Sequence, residues 1–224
     1  MGNAGEWLPE HRLGQERFAS ADAHMQAVLA KGMTANNRFG VKIFPNHMLN
    51  LQRRLGYDFV SKCRQDHDTK IIYIERRDRL GQAISYARAK MTSSWKAAEK
   101  SKREVEYDFG KICASYFHLE RHYAFWRAYL AMSNIAFDHF FYEDLVDDPS
   151  PYLTTLARHL EVEPSQSTST DMKVQRDQIS MEWRERFLRD AAGKNLLAHA
   201  DTSDIPARNL GNLLRFLQRK SLNG

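Results

Sequence analysis

Apolar positions along this chain follow two rhythms: stripes spaced at three and four residues, and short unbroken runs. The stripes predict helices. Over 16–31, Phe18, Met25, Val28 and Leu29 share a face, and Gly32 supplies a stop. A helix is expected behind Asn46, a cap candidate, with Met48, Leu49, Leu51 and Leu55 turned inward and Gly56 at its end. Over 79–95, Leu80, Ala83, Ile84, Ala87 and Met91 recur at helical spacing, with Asp78 placed to cap them. The longest stripe, Ile112, Tyr116, Leu119, Tyr123, Trp126 and Leu130, predicts one helix over 108–132 with its aromatics in the core. Further helices are expected over 153–160, over 179–190 with Ser180 as cap, and over 208–220 within a C-terminal segment 208–224.

The short runs predict strands over 38–44, closed by Pro45, over 70–74 and over 135–142. Residues 1–16 are polar and read as irregular. Residues 96–106 form a charged stretch, and 161–172, rich in Ser, Thr, Glu and Pro, read as a flexible loop. Strands alternating with helices favour a parallel α/β sheet with helices on its faces. Three strands are few for such a sheet. The chain as a whole, 1–224, reads as a single domain.

Composition narrows the setting. Hydrophobic residues make up 42% of 224, enough for a substantial core. No apolar run approaches the roughly 18 residues that span a bilayer. Residues 1–10 lack the basic start and apolar centre of a signal peptide, which makes the cytoplasm the default location. Cys63 and Cys113 have no metal-ligand spacing and read as free thiols. The net charge of +5 and a pI near 9.2 favour anionic partners: nucleotides, nucleic acid or acidic lipid.

Candidate chemistry concentrates after the 70–74 run. Arg76, Arg77 and Arg79 surround a strand-to-helix turn, and Ser85 follows on the helix. Open α/β sheets bind ligands outside the carboxyl ends of their strands. Guanidinium groups grip phosphate through paired hydrogen bonds, and a hydroxyl adds another. The alternative is a solvated turn whose arginines pair with Glu75 and Asp78.

Arg76-Arg-Asp-Arg-Leu-Gly-Gln-Ala-Ile-Ser85, with Ala89, Thr92 and Trp95, resembles the 3′-phosphate-binding segment of the bacterial trehalose 2-sulfotransferase family. Thr34-Ala-Asn-Asn-Arg-Phe-Gly-Val-Lys42 is similar to that family's glycine-lysine strand. Phe141-Tyr-Glu-Asp-Leu145 resembles a tyrosine-bearing strand end found across sulfotransferases. Val174-Gln-Arg-Asp-Gln-Ile-Ser-Met-Glu-Trp183, with Arg186 and Phe187, is similar to its C-terminal segment. The pieces follow the family's order.

The resemblance implies a three-layer α/β sandwich with a parallel central sheet, of the P-loop-like sulfotransferase type. It implies 3′-phosphoadenosine 5′-phosphosulfate (PAPS) as donor, a carbohydrate or glycolipid hydroxyl as acceptor, no metal, no nucleic acid and a homodimer. Arg76 and Ser85 would hold the donor's 3′-phosphate. Arg77, a further candidate for binding the donor, stands where the family varies, and Arg176 would lie near the nucleotide or acceptor. Gly2-Asn-Ala-Gly-Glu6-Trp-Leu resembles the segment whose glutamate takes the proton of the sugar hydroxyl, which makes Glu6 the candidate base. The bland alternative for Glu6 is a frayed terminus.

One departure stands out. The family opens with a strand, an Arg-Ser-Gly-Ser-Thr loop and a helix, whose backbone N–H groups cradle the 5′-phosphosulfate. Met1 falls just after the place where that unit would end, and Gly40, Gly56 and Gly81 are isolated. The first strand-loop-helix unit is therefore expected to be missing, in a shortened chain or a natural inactive relative. Two other readings stay open: a catalytically silent nucleotide-binding or interaction module, and a basic nucleic-acid-binding protein, which has no recognised reader motif. His118 and His122 are four apart on the long helix, but the residues around them do not make a zinc-protease pattern.

Overall fold

A computed structural model describes residues 5–15, 17–35, 37–93, 105–163 and 178–200. Its elements are a 3₁₀ turn Glu10–Leu13, α1 Ala21–Gly32, α2 Pro45–Leu55, α3 Phe59–Asp66, β1 Ile71–Glu75, α4 Arg79–Thr92, α5 Phe109–Met132, β2 Phe137–Phe141, α6 Tyr142–Asp147, α7 Ser150–Leu160, α8 Gln178–Ala191 and a 3₁₀ turn Leu196–His199. The loop expected at 161–172, the charged stretch 96–106 and the helix expected at 208–220 fall wholly or largely outside the described residues.

β1 and β2 pair in parallel, from Ile71 opposite Phe137 to Glu75 opposite Phe141. Parallel strands need a crossover, and the chain supplies it through α4 and α5. The fold is thus mixed α/β, with a parallel sheet of two strands among the described residues.

The strand expected at 38–44 does not form. Val41 makes one parallel bridge to Gly5, and Phe39 one antiparallel bridge to Met33. The turn before it explains the break: the Thr34 N–H and hydroxyl both donate to the Arg38 carbonyl (2.9 and 3.0 Å), and Asn37 takes a left-handed φ of 57°. The segment is bound piecewise instead of laddered.

Caps move several helix boundaries. α1 starts at Ala21, because the Ser20 hydroxyl accepts the Ala23 N–H at 3.1 Å. α2 starts at Pro45, whose fixed φ and missing N–H suit the first helical position, so Asn46 is not its cap. It ends at Gly56, whose φ of 68° is the left-handed geometry glycine allows. α3 and α6 were not anticipated. α3 has a legible signal in Asp58, which accepts the Ser61 N–H, followed by buried Phe59, Val60 and Cys63.

The residues pack as two compact units, one within Met1–Arg77 and His122–Asp171, the other within Asp78–Arg121 and Met172–Gly224. In the first, Met25, Val28 and Leu29 of α1 close on Leu8, Leu51 and Phe59. Cys63 is buried there, and burial pushes its thiol up to about 12, which makes it a packing residue rather than a nucleophile. In the second, Ile84 and Ala87 of α4 meet Ile112 and Cys113 of α5 and Trp183 and Phe187 of α8. Ser180 lies inside α8 instead of capping it, and its hydroxyl accepts a 2.6 Å hydrogen bond from Arg88.

His24 sits fully buried in the first core. Its Nε2 meets the Leu8 carbonyl at 2.9 Å, and a carbonyl only accepts, so the proton is on Nε2. Nδ1 then accepts from the Tyr57 hydroxyl at 2.5 Å. Both nitrogens are satisfied with the ring neutral. Burial lowers the His24 pKa below 6.5, and His47 moves the same way for the same reason. Below 6.5 the unfolded chain binds protons that the folded chain refuses, so stability is full above that pH and declines as pH falls through it. Urea midpoints measured from roughly pH 7.5 to 5.5 should fall with acidification; a flat profile would contradict this account.

Candidate functional site

The parallel register brings two separate stretches of sequence together within the first unit. Because Glu75 pairs with Phe141, Arg76 and Arg77 emerge beside Tyr142, Glu143 and Asp144. The Arg76 N–H donates to the Tyr123 hydroxyl at 3.3 Å. Its guanidinium lies 3.9 Å from the centre of the Tyr142 ring, a cation–π contact that braces the side chain. Among the described residues no carboxylate pairs with Arg76.

Arg77 is engaged differently. Its two terminal nitrogens reach the Asp144 carboxylate at 2.5 and 2.7 Å, its N–H donates to Glu143 at 3.1 Å, and its guanidinium stacks 4.0 Å over Phe141. The guanidinium holds the Asp144 carboxyl below the usual carboxylate range. Arg79 sits 3.7 Å from Glu120. Of the acids expected as their partners, Glu75 lies 3.1 Å from His139 and 3.8 Å from Arg127, and Asp78 lies 2.6 Å from Arg184.

Asp78 caps α4 as expected, accepting the Gly81 N–H at 3.0 Å. A Cβ at residue 81 would lie 2.3 Å from the Asp78 carboxylate, which Arg184 also holds. Gly81→Ala should therefore displace the cap and lower stability by about 1–2 kcal/mol, read as a shifted urea midpoint; an unchanged midpoint would show that the cap relaxes freely. Ser85 lies on α4 in the second unit, half-buried between the core positions Ile84 and Ala87.

Glu6 is in the first unit and is not frayed. The Lys42 N–H donates to the Gly5 carbonyl at 2.9 Å, and the Lys42 ammonium meets the Glu6 carboxylate at 3.2 Å. Two matched segments, around Glu6 and around Lys42, thus converge. Arg176 lies outside the described residues.

The roles of Lys42, Tyr142 and Tyr123 were missed. Lys42 and Tyr142 sat inside the matched segments, and that was the available signal. Tyr123 was read as core, and it is buried, but its hydroxyl faces the Arg76 amide. No group of three or more metal-ligating side chains occurs among the described residues. Within them, no helix is long and apolar enough to cross a membrane.

Comparison with known proteins places the chain in a family. The family model for Stf0 sulphotransferase matches residues 3–190. Over 197 residues the chain is 29% identical to trehalose 2-sulfotransferase of Mycolicibacterium smegmatis (strain ATCC 700084 / mc(2)155), which covers 80% of this chain and 71% of that protein. A match over most of the chain, including the segments that carry Glu6, Lys42, Arg76, Ser85 and Tyr142, makes this protein a member of the Stf0 sulphotransferase family.

Proposed function

We propose that the site in this chain serves transfer of a sulfuryl group from PAPS to a hydroxyl of a carbohydrate or glycolipid, with Arg76 and Ser85 binding the donor's 3′-phosphate and Glu6 acting as base, and that turnover needs the family's phosphosulfate-cradling loop, which the sequence given does not contain. The observation that carries the reading is Arg76: a guanidinium at the carboxyl end of a parallel strand, braced by Tyr142 and without a carboxylate partner among the described residues. Such a group is preorganised for an anion. Ser85 rests on the family segment alone. Arg77, already bound at both terminal nitrogens by Asp144, serves the site by fixing the strand end that carries Tyr142.

In the reaction, the sugar oxygen forms a bond to sulfur while the bond from sulfur to the phosphate oxygen breaks. The hydroxyl proton passes to Glu6, and adenosine 3′,5′-bisphosphate leaves. Lys42 orients the carboxylate through its 3.2 Å ion pair. The protein's part is positioning and electrostatic stabilisation, as in phosphoryl transfer. The cytoplasm, where a nucleotide donor is made, is the proposed setting.

Incubation with PAPS and trehalose of the chain alone and of the chain preceded by the family's strand-loop-helix unit, followed by mass spectrometry of the sugar, tests the reading. A trehalose monosulfate whose formation depends on PAPS supports it. Consumption of PAPS without any sulfated sugar would overturn the acceptor assignment.

A further inference from the structure

β1 turns an unexpected side chain inward. Tyr73 and Glu75 are buried on one face of the strand, while Ile74 between them is 43% exposed on the other. Successive strand residues point to opposite faces, so here a carboxylate takes the inward position and an isoleucine the outward one. A buried charge is costly unless it is paired. Glu75 is 7% exposed, and its carboxylate is held from two directions. His139 Nε2 on β2 lies 3.1 Å from one oxygen, and the Arg127 guanidinium on α5 lies 3.8 Å from the other.

Both partners are themselves placed by the fold. The register sets His139 opposite Tyr73, diagonal to Glu75 and on the same face. Its ring stacks on Tyr73, with centres 5.3 Å apart and planes 24° apart, and packs against Phe141 at 4.7 Å. Arg127 follows Tyr123 by four residues, so the two project from one side of α5. Tyr123 is the residue whose hydroxyl accepts the Arg76 N–H. α5 therefore grips two consecutive residues of the strand end, Glu75 by its side chain and Arg76 by its backbone. The contact with Tyr142 steadies the Arg76 guanidinium, whereas Glu75 and Tyr123 set the point from which that side chain springs.

We propose that Glu75 is a positioning residue for the donor's 3′-phosphate: its buried carboxylate, clamped between His139 and Arg127, fixes the strand end from which Arg76 reaches the phosphate. The inference rests on the donor reading above and adds to it a residue that touches no ligand. Facing the nucleotide, a carboxylate would repel a phosphate; turned inward, it acts through its neighbour.

The test is the ratio of affinities for adenosine 3′,5′-bisphosphate and adenosine 5′-monophosphate, taken by calorimetry on the full chain and its variants. Both nucleotides meet the same folded population, so a loss of stability alone does not move the ratio. Glu75→Gln keeps the size of the side chain and removes its charge. It should lower the preference for the bisphosphate by about three- to tenfold, as one weakened hydrogen bond would. In an Arg76→Ala background it should lower the ratio no further, because residues that act through one contact are not additive. The His139 side chain is 36% exposed, so His139→Leu, which removes a partner of the carboxylate, stands in if Glu75→Gln does not fold, with the same two results expected. The proposal is overturned if the substitution keeps the parental ratio, or lowers it equally with and without Arg76. A preference lost in Arg76→Ala and kept in Glu75→Gln would sink this inference and spare the donor reading. A parent that binds the two nucleotides equally would sink both.

Discussion

Glu6→Gln is expected to lower the rate of sulfuryl transfer by about 10²–10⁴-fold, the usual contribution of a positioned general base. The amide nearly matches the carboxylate in size and keeps an oxygen that can accept from Lys42, so local structure should survive. What is lost is the capacity to take a proton from the attacking hydroxyl. The deficit should appear in kcat, because binding of sugar and nucleotide does not require proton transfer. Steady-state kinetics with PAPS and trehalose, on the chain preceded by the family's strand-loop-helix unit, measure it. A variant with near-parental kcat and a raised KM would assign Glu6 to acceptor binding instead.

The second large effect concerns Arg76. Arg76→Ala should reduce the preference for adenosine 3′,5′-bisphosphate over adenosine 5′-monophosphate by roughly 10–150-fold, the range for hydrogen bonds to a charged group. Arg77→Ala should leave that preference nearly intact. The two arginines are neighbours in sequence with the same charge, and their surroundings separate them. Arg77 spends both terminal nitrogens on Asp144, whereas Arg76 rests its guanidinium on Tyr142. Calorimetric titration of both nucleotides against the two variants decides between them. A loss of selectivity confined to Arg77→Ala would reverse the assignment.

Much of this arrangement was legible in the sequence. The apolar run before Arg76 is a strand, Asp78 caps the helix behind it, and the long aromatic stripe is one helix, Phe109–Met132. Each is a local signal of period or cap chemistry. The failures share a different cause. The run at 38–44 has strand composition, but its hydrogen bonds go to Gly5, Met33 and the Thr34 turn, and single-strand composition does not reveal partners. Asn46 and Ser180 are good cap residues displaced by Pro45 and by a helix that begins earlier, at Gln178.

The site divides in the same way. The residue types at Glu6, Arg76 and Ser85 and their likeness to a family could be read directly. That Lys42 would meet Glu6 could not, because the contact joins residues 36 apart. Nor could the different fates of Arg76 and Arg77, which depend on the register that places Phe141 beside Glu75.

The most direct measurement is the ratio of affinities of the unmodified chain for adenosine 3′,5′-bisphosphate and adenosine 5′-monophosphate, taken by calorimetry under one buffer and salt condition. A braced guanidinium that grips the 3′-phosphate predicts a preference of about tenfold or more for the bisphosphate. Equal affinity for the two nucleotides would contradict it.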